Sequence, residues 1–561
     1  MRVTALSRWR SRLFGSVFAV AVVTVGVIAI VSAGPATRSA SAQTGTCAPG
    51  TTVQTTYGAV CGIASTSVSG VNEWLGIPYA APPVGALRWQ PPQPPTPWST
   101  TVPLPATEFG SECIQTSGLG SENCLFVNVW APATATAGSD LPVMVHIHGG
   151  GFANGNGNSD NSLLASTGDE VIVSMNYRLN IFGFLADDKA LGSNSGDYGL
   201  QDQQAALRWV QKNVAAFGGD PSKVTIFGES AGGSSVCDQI ASPTAAGLFE
   251  QGISTSGEYN TVLGTQEQTP RTPEDLEAQD CKSALPTKGE ANAAGKNFAA
   301  AVGCGTGTAA VAACLQALPD NVIEQAAFHP GDGYQYGGQG TVAPTINGST
   351  LTMTLRQALK TGHVNHVRVI AGTDRDEDLV GTPTAAETYQ DLVDAQYGAF
   401  ASQVLARYPV SRFDSPGVAW RTVAADSDTV CPSLVTDQDL ASRMPVYAYE
   451  IDDNDIPPYA PAGPGVVAAG ASHVGAWFLN PVTPALDADQ QVLQNQEIEY
   501  VTTFARTGKP TPSGAPPWPR FNPASPSEIS LQPAGDTEVV TAAEVSTQHN
   551  CAFWDRISPN P

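Results

Sequence analysis

A serine at position 230 stands in Phe227-Gly228-Glu229-Ser230-Ala231-Gly232, a G-x-S-x-G pattern that follows the strand-like run SKVTIF (Ser222 to Phe227) and precedes a helix-compatible stretch. Glycines on both sides of a serine permit a tight, strained turn, which lifts the hydroxyl above a sheet edge and near the positive end of the next helix. A serine so placed is a candidate nucleophile for acyl transfer. That chemistry also needs donors for the oxyanion that forms on the carbonyl. His148-Gly149-Gly150-Gly151-Phe152 follows another strand-like run upstream. With the N–H of Ala231, those of Gly150 and Gly151 make a three-donor candidate hole. A nucleotide-binding loop is the competing reading of the glycines, but no GK[ST] follows them.

A serine hydroxyl is a poor nucleophile until a base takes its proton, and in this context the chain order is Ser, then acid, then His. Only His473 and His549 lie far enough downstream. His473 sits in the loop-like GASHVG, a setting suited to presenting a side chain. His549 lies two residues before Cys551, in a segment better suited to being stapled than to catalysis. The acid is expected just past the strand-like HVRVIAG (His366 to Gly372), where Asp374, Asp376, Glu377 and Asp378 follow; spacing alone does not choose among the four. His146 and His148 share an HxH pattern that two metal ligands could use, but no third ligand is visible and no CxxC pair occurs. No metal and no cofactor is expected.

These residues need a framework. LPVMVHIH (Leu141 to His148) and EVIVSMNY (Glu170 to Tyr177) read as short buried strands, Gln201 to Ala216 as a helix, SKVTIF as a strand again. Strand, helix, strand in succession implies an α/β fold with a parallel sheet and crossover helices. Thr51 to Gly70 reads as hairpin strands. The Pro-rich Trp74 to Trp98 carries interleaved Trp, Leu and Tyr that argue for packing on a core rather than a linker. Roughly 265–341 and 380–440 are expected to be helical insertions. Pro445 to Ile451 is a further strand and Gln490 to Arg506 a long helix, while the acidic run Asp452 to Asp455 reads as a solvated turn without calcium-loop spacing.

Composition narrows the classes further. Among 561 residues 42% are hydrophobic and 14% charged, enough to bury a large core. Against 51 Asp plus Glu stand 27 Lys plus Arg, a formal charge of -24, so a nucleic-acid surface is not expected. Residues 1–42 hold five Arg and no acid. A basic start, the apolar Leu13 to Val31 and Ala40-Ser41-Ala42 before Gln43 form a signal peptide, with an uncleaved anchor as the alternative. Export leaves 43–561 as a single secreted catalytic domain with no stable membrane insertion. All ten Cys follow the leader, and in an oxidising compartment an even count suggests up to five disulfides. Cys47 and Cys61 are near enough in the N-terminal hairpin to pair.

Taken together the motifs resemble the type B carboxylesterase and lipase family, which includes cholinesterases and bacterial para-nitrobenzyl esterases, over essentially Thr51 to Asp555. Phe217-Gly218-Gly219 with Val224 to Gly232 matches the family's nucleophile pattern. Glu122 to Pro132 (ENCLFVNVWAP) matches its second pattern except at Asn123, and NYRLNIFGFL (Asn176 to Leu185) and FARTGKP (Phe504 to Pro510) are further matches.

The resemblance implies an α/β-hydrolase fold, with a large, mostly parallel sheet flanked by helices. It also implies a serine hydrolase that cleaves small-molecule carboxylic esters. It implies Glu377 as the triad acid, although Asp378 stands where the family has Gly, and His473 as the base, with Val474 and Ala476 in place of the usual Gly and Glu. Glu229 is expected either to add a charge near the imidazolium or to be a spacer typical of the family. By the same resemblance Cys113 pairs with Cys124, Cys304 with Cys314 and Cys431 with Cys551, and Cys237 with Cys281 remains by elimination. The Cys113 to Cys124 loop has no Trp, so the aromatic platform for quaternary ammonium is missing. Two other readings are an esterase-like binding module without activity and a secreted peptidase with the same triad order.

Overall fold

Short apolar runs dominated by Val, Ile and Met cannot remain in water, and strands covered on both faces are the form in which such runs bury both rows of side chains. A computed structural model of the chain describes residues 46–257, 286–305, 309–328, 343–376, 389–453 and 486–557. It contains an eleven-stranded sheet. In chain order its strands are β1 (Ile63–Ala64), β2 (Val71–Pro78), β3 (Phe126–Pro132), β4 (Leu141–Ile147), β5 (Val171–Met175), β6 (Gly219–Glu229), β7 (Gln251–Thr255), β8 (Arg368–Asp374), β9 (Val446–Ile451), β10 (Ser527–Leu531) and β11 (Glu538–Thr541). Across the sheet they run β11-β10-β9-β8-β7-β6-β4-β5-β3-β2-β1. From β10 through β5 all neighbours are parallel, and antiparallel strands finish both edges. Thr52–Thr55 and Gly58–Cys61 form the expected N-terminal hairpin, in a separate small sheet with Leu104–Pro105.

Strand alternation sorts the core into two halves. Val143, Val145, Ile147, Val171, Val173, Val224 and Ile226 face one cluster, while Met144, Ile172, Phe227, Ile253 and Ile370 face the other. Helices α1 (Tyr198–Asn213) and α2 (Ala231–Ala241) cover the first face, and α3 (Ala488–Thr507) covers the second. The start of α3 is set by a capping box in which Asp487 accepts from the N–H of Gln490 while the Gln490 side chain accepts from the N–H of Asp487. Its end is set by Gly508 at φ 74°. The Pro-rich stretch packs as expected: Trp74 and Trp89 are buried, and Trp89 Nε1 donates to Ile181 O at 2.8 Å.

Strand β7 has no clear strand pattern in the sequence, because QGIST is mostly small and polar. All five residues are buried, and a Cβ on Gly252 would come 2.8 Å from Val236, so smallness is what lets α2 approach. The described parts of 265–341 and 380–440 are helical, at Lys288–Ala301, Ala309–Ala317 and Asp320–Phe328, then Tyr389–Tyr397, Ala401–Arg407, Pro416–Ala425 and Cys431–Ala441. The solvated-turn reading of Asp452 to Asp455 is corrected in its first half. Asp453 is buried and accepts from Gln490 Nε2 at 3.2 Å, and Asp452 pairs with Arg375, because the end of β9 runs under the start of α3.

Disulfides join Cys47 to Cys61, Cys113 to Cys124, Cys304 to Cys314 and Cys431 to Cys551. Cys237 is disulfide-bonded as well, and its expected partner Cys281 lies outside the described residues. The expected leader, 1–42, also lies outside them. Among the described residues no helix is long and apolar enough to cross a membrane.

Glu497, within α3, is buried with no hydrogen-bond partner for either oxygen among the described residues. Burial and then the charge of Asp453 push its carboxyl from 4.5 up to about 8. The folded state therefore holds a proton that the unfolded chain releases between these two values, and stability falls as pH rises through that window. Glu497→Gln is expected to raise Tm at pH 8 by about 2 °C or more and to leave it nearly unchanged at pH 4. Thermal melts of both proteins across pH 4 to 9 check this; an equal shift at all pH values contradicts it.

Candidate active site

Strand β6 ends at Glu229, and Ser230 turns the chain into α2 with φ 55° and ψ -125°, a strained conformation for a residue with a Cβ. The strain is held by neighbours on both sides. Ser230 N donates to Thr255 O at 3.0 Å, and Ser234 N donates to Ser230 O at 2.8 Å. A Cβ on Gly228 would lie 2.4 Å from Ile147 O, and one on Gly232 would lie 2.1 Å from the same oxygen. Only glycine fits at either position. The serine is 9% exposed, at the N-terminus of α2.

The loop after β4 lies directly against this turn. A Cβ on Gly149 would be 2.6 Å from Glu229 O and 3.1 Å from Ser230 Cβ. Gly150, Gly151 and Phe152 all have positive φ, at 108°, 64° and 54°, and Ala153 N and Asn154 N close the turn onto Gly150 O. Among the described residues no hydrogen bond engages the N–H groups of Gly150, Gly151 or Ala231. Three uncommitted backbone donors thus stand next to a strained serine. Donors so arranged suit a negatively charged oxygen on an atom bonded to the serine Oγ.

The loop is supported from behind by residues whose part was not evident from their spacing. Tyr177 donates its hydroxyl to His148 O at 2.7 Å and stacks on the His148 ring with centroids 4.3 Å apart. Asn180 N donates to Phe152 O at 2.6 Å. Burial pushes His148 down to about 4 despite the carbonyl of Gly149 beside its Nδ1, so the ring is neutral at neutral pH. Burial, then the neighbouring His148, takes His146 down to about 3, and its ring stacks on Phe227 at 5.1 Å. The HxH pair is packing and loop support. Among the described residues no group of three His, Cys, Asp or Glu is arranged to hold a metal. Glu229 lies under the same loop, its Oε2 2.9 Å from where a Gly149 Cβ would be, and its charge reinforces the burial that raises Tyr177.

The carboxyl ends of β6, β7, β8 and β9 are in parallel register, with Glu229 opposite Thr255, Thr255 opposite Gly372 and Asp374 opposite Ile451. The chain turns after β6 at Ser230 and after β8 at Arg375 and Asp376, along one edge of the sheet. Between β4 and β6 the strand order reverses, the point at which open α/β sheets present their binding crevice. Arg375 donates to Asp376 and Asp452, so one of the four candidate carboxylates is committed to an ion pair. Glu377, Asp378 and His473 lie outside the described residues. His549 is in contact with Asp426 and with Glu450, which is next to the last residue of β9.

The profile of the carboxylesterase family matches residues 49–554. The para-nitrobenzyl esterase of Bacillus subtilis is 44% identical over 227 residues, which cover 38% of this chain and 45% of that protein. Pyrethroid hydrolase Ces2e of Rattus norvegicus is 31% identical over 497 residues, 81% of each chain. A solved PNB esterase structure superposes with a TM-score of 0.70 at 30% identity, over 89% of this chain and 99% of that one. The strained serine after β6, the glycine loop after β4 and a match running almost the whole length of the chain agree, and the protein belongs to the type B carboxylesterase family, with its α/β-hydrolase fold.

Proposed function

We propose that the protein is a secreted serine ester hydrolase that works through a Ser230-His473-Glu377 triad and an acyl-enzyme. The observation that carries this reading is Ser230, strained at φ 55°, beside a glycine loop with uncommitted donors. His473 takes the proton from Ser230 Oγ as that oxygen attacks the ester carbonyl carbon. The carbonyl oxygen becomes an oxyanion and accepts from Gly150, Gly151 and Ala231 N–H. Collapse returns the electron pair, breaks the C–O bond to the alcohol and passes the His473 proton to that leaving oxygen. Water, deprotonated by His473, then releases the acid by the same steps. Glu377 steadies the imidazolium, and the engagement of Asp376 by Arg375 supports Glu377 over its neighbour. Export is supported by the leader at 1–42 and by the disulfides.

Ser230→Ala and His473→Ala are each expected to lower hydrolysis of a para-nitrophenyl ester by roughly 1,000-fold or more with the fold retained. Glu377→Gln should be similarly damaging, and Asp376→Asn and Asp378→Asn milder. A folded Ser230→Ala enzyme with normal turnover rejects the mechanism, and turnover of a peptide anilide above that of the ester favours the peptidase reading. Gly149→Ala drives a methyl into Glu229 O and Ser230, so kcat should fall by about 100-fold, comparable to the loss of one oxyanion donor.

The substrate class follows from charge. The Cys113 to Cys124 loop offers no Trp, and Arg88 and Arg178 near it are buried against Glu122 and Asp202, which leaves the acidic field unopposed by these two cations. Neutral esters of small to medium size are expected to be preferred over acylcholines and over anionic esters, with the anionic penalty largest at low salt. Matched esters of the three charges, assayed for kcat/KM at low and high ionic strength, check this; preference for the choline ester contradicts it.

A further inference from the structure

Behind the sheet edge lies a buried charge cluster that the proposed mechanism does not use. His549, 3% exposed, places Nδ1 at 2.6 Å from Asp426 Oδ1 and Nε2 at 3.0 Å from Glu450 Oε1, the second an ion pair rather than an aligned hydrogen bond. The three residues come from three distant parts of the chain. Asp426 opens a π-helical turn (Asp426–Val430), a wide turn that recurs at functional positions, and its other oxygen accepts from Tyr408 at 2.6 Å. Glu450 is in β9, opposite Thr373 of β8. His549 is bracketed by the Cys431 to Cys551 disulfide, whose Cα atoms are 5.2 Å apart. Burial works against charge on the imidazole, but Glu450 and Asp426 outweigh it and hold the ring well above its ordinary value. Its positive charge is therefore present at neutral pH.

The charge reaches the turn after β8. Glu450 acts on the Arg375 guanidinium, which already binds Asp376 and Asp452, and Asp376 immediately precedes Glu377. Glu528, on β10 two residues before the Ser530 that pairs with Glu450, is pushed to about 8 by burial and then by Glu450, so at neutral pH it stays mostly protonated and supplies no competing charge. The geometry points to His549 as a positioning residue: its cation balances Glu450, so that Arg375 stays on Asp376 and Asp452 and fixes the turn from which the acid departs. Without it, Glu450 is a buried carboxylate beside Arg375 and draws the guanidinium away from the turn. This rests on the reading of Glu377 as the acid.

The test compares wild type, His549→Gln, Glu450→Gln, the double variant and Glu377→Gln with a neutral para-nitrophenyl ester, each checked for folding by thermal melting. His549→Gln is expected to lower kcat by about tenfold with KM within about twofold, Glu450→Gln to have little effect, and the double variant to recover most of the lost kcat. A packing defect would not be repaired by removing the second charge. A folded His549→Gln enzyme with unchanged kcat, or a loss that Glu450→Gln does not relieve, overturns the proposal. If His549→Gln alone does not fold, a double variant that is folded and active still supports it, and one that is unfolded or inactive overturns it. Glu377→Gln separates the two readings: full activity there rejects the acid assignment, whereas a dead Glu377→Gln beside an intact His549→Gln rejects only the positioning role.

Discussion

The carbonyl oxygen of Ile147 occupies space that a Cβ on Gly228 or on Gly232 would have to enter. This close approach of the end of β4 to the turn after β6 forces glycine on both sides of Ser230 and compresses the turn into the conformation that Ser230 adopts. It also places the loop at Gly149 in contact with the serine. A serine at positive φ costs on the order of 1–3 kcal/mol, tolerable only where surrounding structure fixes every neighbouring atom. Seven parallel strands packed on both faces supply that rigidity.

The protein also buries several charged pairs. Arg178 and Asp202, both almost fully buried, pair at 2.7 Å and fasten the segment that carries Tyr177 and Asn180 to α1. Arg88 and Glu122 similarly lock the Pro-rich stretch to the chain beside the Cys113 to Cys124 bridge, and Arg88 Nη1 also donates to Leu318 O at 2.6 Å. Removing one member of such a pair strands its partner in a poor solvent for ions, typically at a cost of about 3–5 kcal/mol. These pairs tie the Pro-rich stretch and the segment carrying Tyr177 and Asn180 to their neighbours in the fold. The Cys431 to Cys551 bridge closes a separation of 120 residues and, in the chain-entropy view, contributes roughly 5 kcal/mol by restricting the unfolded chain.

Much of the frame was legible residue by residue. Runs such as LPVMVHI and VIVSM became β4 and β5 because continuous branched apolar residues have no other way to bury both faces. The helix read from Gln490 onward gained its first turn from the Asp487 cap. Strands β7, β10 and β11 were missed because their sequences are short, small or polar, and they are strands only because a neighbouring strand and helix impose it. Asp453 was misjudged for the converse reason, since nothing in a run of acids tells that α3 will close over one of them.

By itself the sequence determined the nucleophile motif, the glycine loop and the alternation of strands and helices, since each depends on local residue types: glycine where a backbone must pass closely, branched apolar side chains where a strand is buried. Tertiary structure alone decided that Ile147 O, Gly149 and Ser230 meet, that Tyr177 and Asn180 hold the loop from behind, and that His549 stands between Asp426 and Glu450. Those contacts join residues tens to hundreds of positions apart, and their energies come from desolvation and close packing, which exist only once the chain has folded.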